Sequence, residues 1–257
     1  MISLKTKEEI AIMRTGGKIL AEVLQEVIEN AKIGISELEL DRMAEKLILR
    51  KGGEPGFKKV EGYKHTICIS TNDIVVHGVP TNYKLKEGDI VGIDCGVYYK
   101  GFHTDMAQTV RVKNEKLKNK SSDEVDKFLD IGEKAMWNGI KAAKEGQRVG
   151  NISKAIQETV EGQGYSVVRS LIGHGVGKDL HEDPEIPGFL DGSISRTALL
   201  KKGMTIAIEA IYNMGKSDIV YSGNDGWTIK SKDGSLSGLF ERTIVIAGQG
   251  PEVLTRK

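Results

Sequence analysis

Two distant segments of this chain share one layout: KEGDIVGID (Lys86 to Asp94) and KKGMTIAIE (Lys201 to Glu209) each place a glycine six residues before a carboxylate that ends a β-rich run. Upstream of each lies HGV, starting at His77 and again at His174. The order of elements repeats as well. Thr6 with Glu9 reads as a capping box opening an amphipathic helix through Ile10, Met13, Gly17, Leu20, Leu24, Val27 and Ala31. Ser36 with Glu39 opens a second, through Leu40, Met43, Leu47 and Ile48, which KGG stops. The runs TICIS, DIVVHGV, DIVGIDCGVYY and FHTDMAQTVRV follow as strand candidates. From Ser121 the pattern returns, with helices at about 122–144 and 151–161, then YSVVRSLI, MTIAIEAIYN, GWTIK and LFERTIVIA. Short matches between β-rich runs also arise by chance; a shared order in both halves favours a duplication.

A duplicated helix-helix-strand unit predicts an α+β protein whose halves, about 1–112 and 121–257, are related by a pseudo-twofold axis within a single domain. Their strands would form one curved sheet, helices would cover its outer face, and a site would lie between the halves. KNEKLKNKSSDE is the natural link, too short and charged for a core of its own. A formal net charge of +1 gives no global field to recruit nucleic acid or an anionic membrane. The 31 glycines exceed the usual share of about 7% and predict many tight turns. Neither a secretory leader nor eighteen uninterrupted apolar residues is found. Cys68 and Cys95 form no CxxC pair, so a reducing cytoplasm is the expected setting.

Chemistry concentrates on a few acids. The midpoint between Asp94 and Asp105 falls between Tyr99 and Lys100, so a hairpin turn at YYKG would set the two carboxylates directly opposite one another. Opposed like charges cost a few tenths to about 1 kcal/mol unless a cation lies between them. Gly92, Asp94 and Gly96 share a face with room above it, while Val91, Ile93, Cys95 and Val97 face a core. Solvated turn flanks would equally account for this pair alone. Glu209 and Glu241 each interrupt an apolar β-rich run, and either could point outward from an edge strand. Four carboxylates buried together would cost many kcal/mol without cations, so the chain must expose them or bind metal. His174 adds a neutral ligand to four negative charges that two divalent ions balance, a shell suited to Mn, Fe or Co with zinc left open.

The set HGVP, GDIVGID, HTD, GHGVGKDLHEDP, GMTIAIE and FERT resembles the short, type I methionine aminopeptidases, and more distantly aminopeptidase P and prolidase. The resemblance runs from KTKEEIAIMRTGGKIL to FERTIVIAGQG. It implies the pita-bread fold, a curved, mainly antiparallel sheet with helices on one face. It also implies that Asp94, Asp105, His174, Glu209 and Glu241 hold two divalent ions (Co, Mn, Fe or Zn), Asp105 and Glu241 bridging them. The implied reaction is removal of an N-terminal methionine ahead of a small uncharged residue, by hydroxide formed between the metals. Glu209 would shuttle the proton, and His77 would lie beside the scissile amide. His181 would hydrogen-bond the substrate carbonyl without touching metal. Tyr63, Cys68, His77 and Trp227 would form the methionine pocket, although Trp227 could as well be core.

The implied partner is a peptide with a free N-terminal methionine, whose α-amine can ligate metal. The chain would act as a monomer, with room for a transient ribosome contact and without specific nucleic acid or membrane. His65 and His103 have no counterpart in the family; His103 shares parity with Asp105 and could reach the site, but reads better as a solvated turn histidine. Ala210, Leu239, Arg242 and Val60 depart from the usual proline, glutamine, histidine and aromatic, which bears on metal preference, pocket shape and rate. Two alternatives stay open: an Xaa-Pro peptidase, a relative that generally carries an added N-terminal domain, and a non-catalytic binding protein of the same fold.

Overall fold

The computed structural model describes residues 2–113, 123–223 and 225–257. Helix α1 (Lys7–Asn30) and helix α2 (Glu37–Arg50) start on the expected capping boxes, with Thr6 and Ser36 each accepting from the backbone N–H three residues on. Such a cap contributes about 1 kcal/mol. There follow β1 (Glu54–Pro55), β2 (Ile67–Thr71), β3 (Ile74–Val76) and the long hairpin of β4 (Ile90–Tyr99) and β5 (Phe102–Arg111). Two helices come next, α3 (Glu124–Ala142) and α4 (Val149–Glu161). The remaining strands are β6 (Ser166–Val167), β7 (Ile172–Gly175), β8 (Glu182–Pro187), β9 (Thr205–Asn213), β10 (Ile219–Tyr221), β11 (Ile229–Ser231), β12 (Ser237–Ala247) and β13 (Gly250–Val253). Most of the expected charged link, 114–122, lies outside the described residues.

Ten strands form one sheet in the order β1-β4-β5-β12-β9-β7-β8, with β2 on β4, β6 on β9 and β13 on β12. Its pairings are antiparallel, and the two long hairpin-like pairs β4–β5 and β9–β12 meet where β5 pairs with β12. Alternation along the strands sorts the side chains. Val91, Ile93, Cys95 and Val97 pack under α1 and α2 with Leu20, Leu24, Leu40 and Ile48. Ile206, Ile208, Ala210 and Tyr212 pack under α3 and α4 with Phe128, Met136, Ile152 and Ile156. Each fully buried Leu or Ile contributes about 1.5–3 kcal/mol. One close approach requires glycine: a Cβ on Gly132 would lie 2.2 Å from Tyr212 Oη, which donates to the Phe128 carbonyl at 2.6 Å. The helices thus cover one face, and the opposite face is left to the acids.

Three expectations need correction. Asp94 and Asp105 are not opposed directly: Asp94 pairs with Ala107, and Asp105 with Gly96. The turn residues are Lys100 and Gly101, with φ of 46° and 92°, the positive pair that a two-residue hairpin matched to strand twist demands. A turn centred one residue later moves each cross-strand partner by two, so both aspartates keep their face. YSVVRSLI is not one strand, because exposed Arg169 and Ser170 separate β6 from β7. DIVVHGV ends as a strand at Val76, since His77 has φ 55°.

Candidate metal centre and active-site pocket

Sheet register assembles the acids. Cys68, Asp94, Ala107, Glu241 and Glu209 form a single line across β2, β4, β5, β12 and β9, each paired with the next. Asp105 lies two residues from Ala107 along β5, and His174 pairs with Ala207, two residues from Glu209. With a side-chain period of two, all five candidate ligands share the face away from the helices. One ligand atom from each of Asp105, His174 and Glu241 lies within 4.8 Å of the others. Asp94 reaches Asp105 closely enough for the carboxyl groups to share a hydrogen bond.

Without a cation this cluster must hold protons. Burial, the largest cause, pushes Asp105 up to about 7. Burial and then the Asp105 charge push Glu209 up to about 8. Asp94 and Glu241 are driven well above the ordinary carboxylate range, first by burial and then by neighbouring acids. Asp94 Oδ1 and Glu241 Oε1 are buried without a hydrogen-bond partner. Buried polar atoms of this kind are rare and call for an explanation. An oxygen-rich shell of four carboxylates and one imidazole with two orphaned oxygens fits hard or borderline divalent cations. His174 is prepared for the same role: its Nδ1–H donates to the Gly175 carbonyl at 2.9 Å, leaving Nε2 4.0 Å from Asp105 Oδ2 as the free lone pair. Burial, with a smaller contribution from His181, lowers its pKa to about 4, so the ring is neutral at pH 7.

Above the cluster lies a cavity of about 180 Å³ whose lining includes all four acids and the imidazole, together with His77, His181, Tyr63, Cys68 and Trp227. Tyr63 meets Trp227 edge to face at 5.1 Å, and its hydroxyl donates to the Ile67 carbonyl at 2.8 Å. The two histidines of the glycine-rich loop take different places. His174 is down among the carboxylates, whereas His181 is exposed at the rim, its ring 4.4 Å from that of His174 and 75° to it. Burial, and to a lesser degree His181, lowers the His77 pKa.

His103 is a further correction: it is buried, 5% exposed, with its ring 4.8 Å from Tyr98. The β5 alternation that turns Asp105 inward turns His103 inward too. His65 is half-buried with Nδ1 3.2 Å from Asp41 Oδ2. The departures divide by face. Val60 and Leu239 line the cavity, while Ala210 belongs to the core under α3. Arg242 points away from Glu241 and ties β12 to β5, donating to the carbonyls of Ala107 and Glu241 at 3.0 and 2.7 Å and to Gln108 Oε1 at 2.8 Å.

Some supporting residues escape sequence reasoning. Asp41 on α2 accepts from the backbone N–H of Thr66 and Ile67 at 2.7 and 3.2 Å, fixing the wall that carries Tyr63 and Cys68. Thr243 Oγ1 accepts from Asp105 N–H at 2.9 Å and donates to its carbonyl at 2.8 Å, holding that ligand from β12. Thr243 lies within FERT, two residues past Glu241, and the period of two is the signal that places it on the site face.

This fold and site are those of a metallopeptidase. Residues 11–246 match the model of metallopeptidase family M24. The chain is 46% identical over 255 residues to a methionine aminopeptidase of Clostridium perfringens, covering 99% of each chain. It is 43% identical to methionine aminopeptidase 1 of Bacillus subtilis, covering 100% of each. The crystal structure of a methionine aminopeptidase from Thermotoga maritima superposes with a TM-score of 0.93 at 39% identity, covering 100% of both chains. The chain belongs to family M24 and, within it, to the methionine aminopeptidases, a group of metal-dependent hydrolases with the pita-bread fold.

Proposed function

We propose that this protein removes the N-terminal methionine from nascent proteins and peptides when a small uncharged residue follows it. The single observation behind this reading is the cavity in which four carboxyl groups and an imidazole converge beneath an apolar wall. Asp94, Asp105, His174, Glu209 and Glu241 would hold two divalent ions. Bound there, such ions supply Lewis acidity and lower the pKa of water toward neutrality. Glu209 would act as the proton shuttle toward the leaving amine. His181 donates from the rim to the substrate carbonyl as negative charge grows on its oxygen, and His77 flanks the scissile amide. Tyr63, Cys68 and Trp227 receive the methionine side chain, sulfur and ring edges suiting a thioether.

The 257 residues act as one catalytic domain of two halves, about 1–112 and 121–257. We further propose a monomer working in the cytoplasm, with transient access to the ribosome. Among the described residues no helix is long and apolar enough to cross a membrane.

The test strips metal from the purified protein, adds back Mn, Co, Fe or Zn separately, and measures methionine release from a peptide with alanine second. Release with at least one metal is expected; none with any of them overturns the reading. Turnover of Met-Pro or Ala-Pro in preference to Met-Ala would reassign it to an Xaa-Pro peptidase.

A further inference from the structure

The loop between β7 and β8 carries His181 over the cavity, and an ion pair from the start of the chain crosses its base. Lys5 Nζ meets Glu182 Oε2, with the two side chains only 3% and 13% exposed. Glu182 directly follows His181 and pairs across the strands with Gly175, the neighbour of His174. Lys5 is itself anchored, its backbone N–H donating to the Gly203 carbonyl at 2.8 Å, just ahead of β9. Gly177 makes the crossing possible: a Cβ there would lie 2.4 Å from Lys5 Cε and 2.5 Å from Glu182 Oε1. From the other side, His103 N–H donates to the Gly177 carbonyl at 2.7 Å. Among the described residues the His181 ring has no such tether and is held by packing on His174, so its position follows the loop that bears it. A buried ion pair is a poor source of net stability, and orientation is the better-attested use of one.

We propose that Lys5 is a positioning residue for the reaction proposed above, on which this inference rests: acting through Glu182, it holds His181 over His174 and so sets kcat without touching substrate or metal.

The experiment uses the full chain as Lys5→Met, Lys5→Arg, Glu182→Gln, His181→Ala and the Lys5→Met/His181→Ala pair. Amide hydrogen exchange across 176–183 should quicken about fivefold or more in Lys5→Met and Glu182→Gln, stay near wild type in Lys5→Arg, and leave the rest of the chain unchanged. On a Met-Ala peptide, Lys5→Met should lower kcat about five- to twentyfold with KM and metal content within about twofold. In the His181→Ala background the same change should cost less than about twofold, because the lysine acts through that histidine. Unchanged loop exchange, faster exchange throughout the chain, an arginine variant as defective as the methionine one, or an equal loss of kcat with and without His181 overturns the assignment. A wild-type protein that releases no methionine refutes the proposed function, while the exchange comparison still decides whether Lys5 clamps the loop.

Discussion

Raising the pH on the metal-free protein should destabilise it through its active site. Asp105 releases its proton near 7 and Glu209 near 8, against ordinary values of 3.8 and 4.5. Above pH 6 the folded state therefore binds more protons than the unfolded one, and stability falls with slope 1.36 kcal/mol per proton per pH unit, about. Integrated from pH 6 to pH 9, Asp105 contributes about 1.4 and Glu209 about 2.7 kcal/mol, a loss of about 4 kcal/mol. The sign is that of a raised carboxyl pKa: stability is fully present below the unfolded pKa and lost as pH rises through the folded one. His77, His103, His174 and His181, with pKa values lowered from 6.5, oppose part of this loss between pH 6 and about 7, where the unfolded histidines still hold protons, while Asp94 and Glu241, driven well above the carboxylate range, add to it. For a chain of this length 4 kcal/mol corresponds to a Tm drop of about 8–16 °C. Calorimetry of chelator-treated protein at pH 6 and pH 9 checks it, with Asp105→Asn/Glu209→Gln as the control that lessens the dependence. Divalent metal at a hundred times its Kd should restore about 2.7 kcal/mol at pH 9. A metal-free Tm equal at the two pH values, or higher at pH 9, refutes the buried-carboxylate reasoning.

Replacing His181 by alanine should leave metal content near wild type and lower kcat by about 3–4 kcal/mol, two to three orders of magnitude; metal analysis beside the kinetics checks it, and lost metal would place the ring among the ligands. Trp227→Ala removes the ring 5.1 Å from Tyr63 and should raise KM for Met-Ala by about tenfold; an unchanged KM would make Trp227 mere packing. Gly132→Ala drives a methyl onto Tyr212 Oη and should cost about 2–3 kcal/mol in denaturant unfolding, with no change in the metal dependence of turnover.

What the sequence discloses is set by range. Capping boxes and apolar periodicity are local, and both first-half helices begin at Lys7 and Glu37 as Thr6 and Ser36 predict. The acids are legible because a charge inside an apolar β-rich run contradicts its surroundings, and Glu209 and Glu241 are directly paired across β9 and β12. Parity places Asp94 and Asp105 on one face, but their exact partners depend on φ at Lys100 and Gly101, which the letters YYKG leave open. His103 is misjudged as solvated because its burial comes from Tyr98 across the strand and from the loop at Gly177. Asp41 and Lys5 are invisible for a related reason: each acts on the site from an element far off in sequence.

The Lys100–Gly101 turn also makes this site sensitive to reading frame in space. Removing one residue between Asp94 and Asp105 would swing the second aspartate toward the helices and bring a neighbour into the cavity, however well the strands still paired. Among descendants of this fold, length should therefore hold constant between the two aspartates, where every residue counts as a step from one face of the sheet to the other.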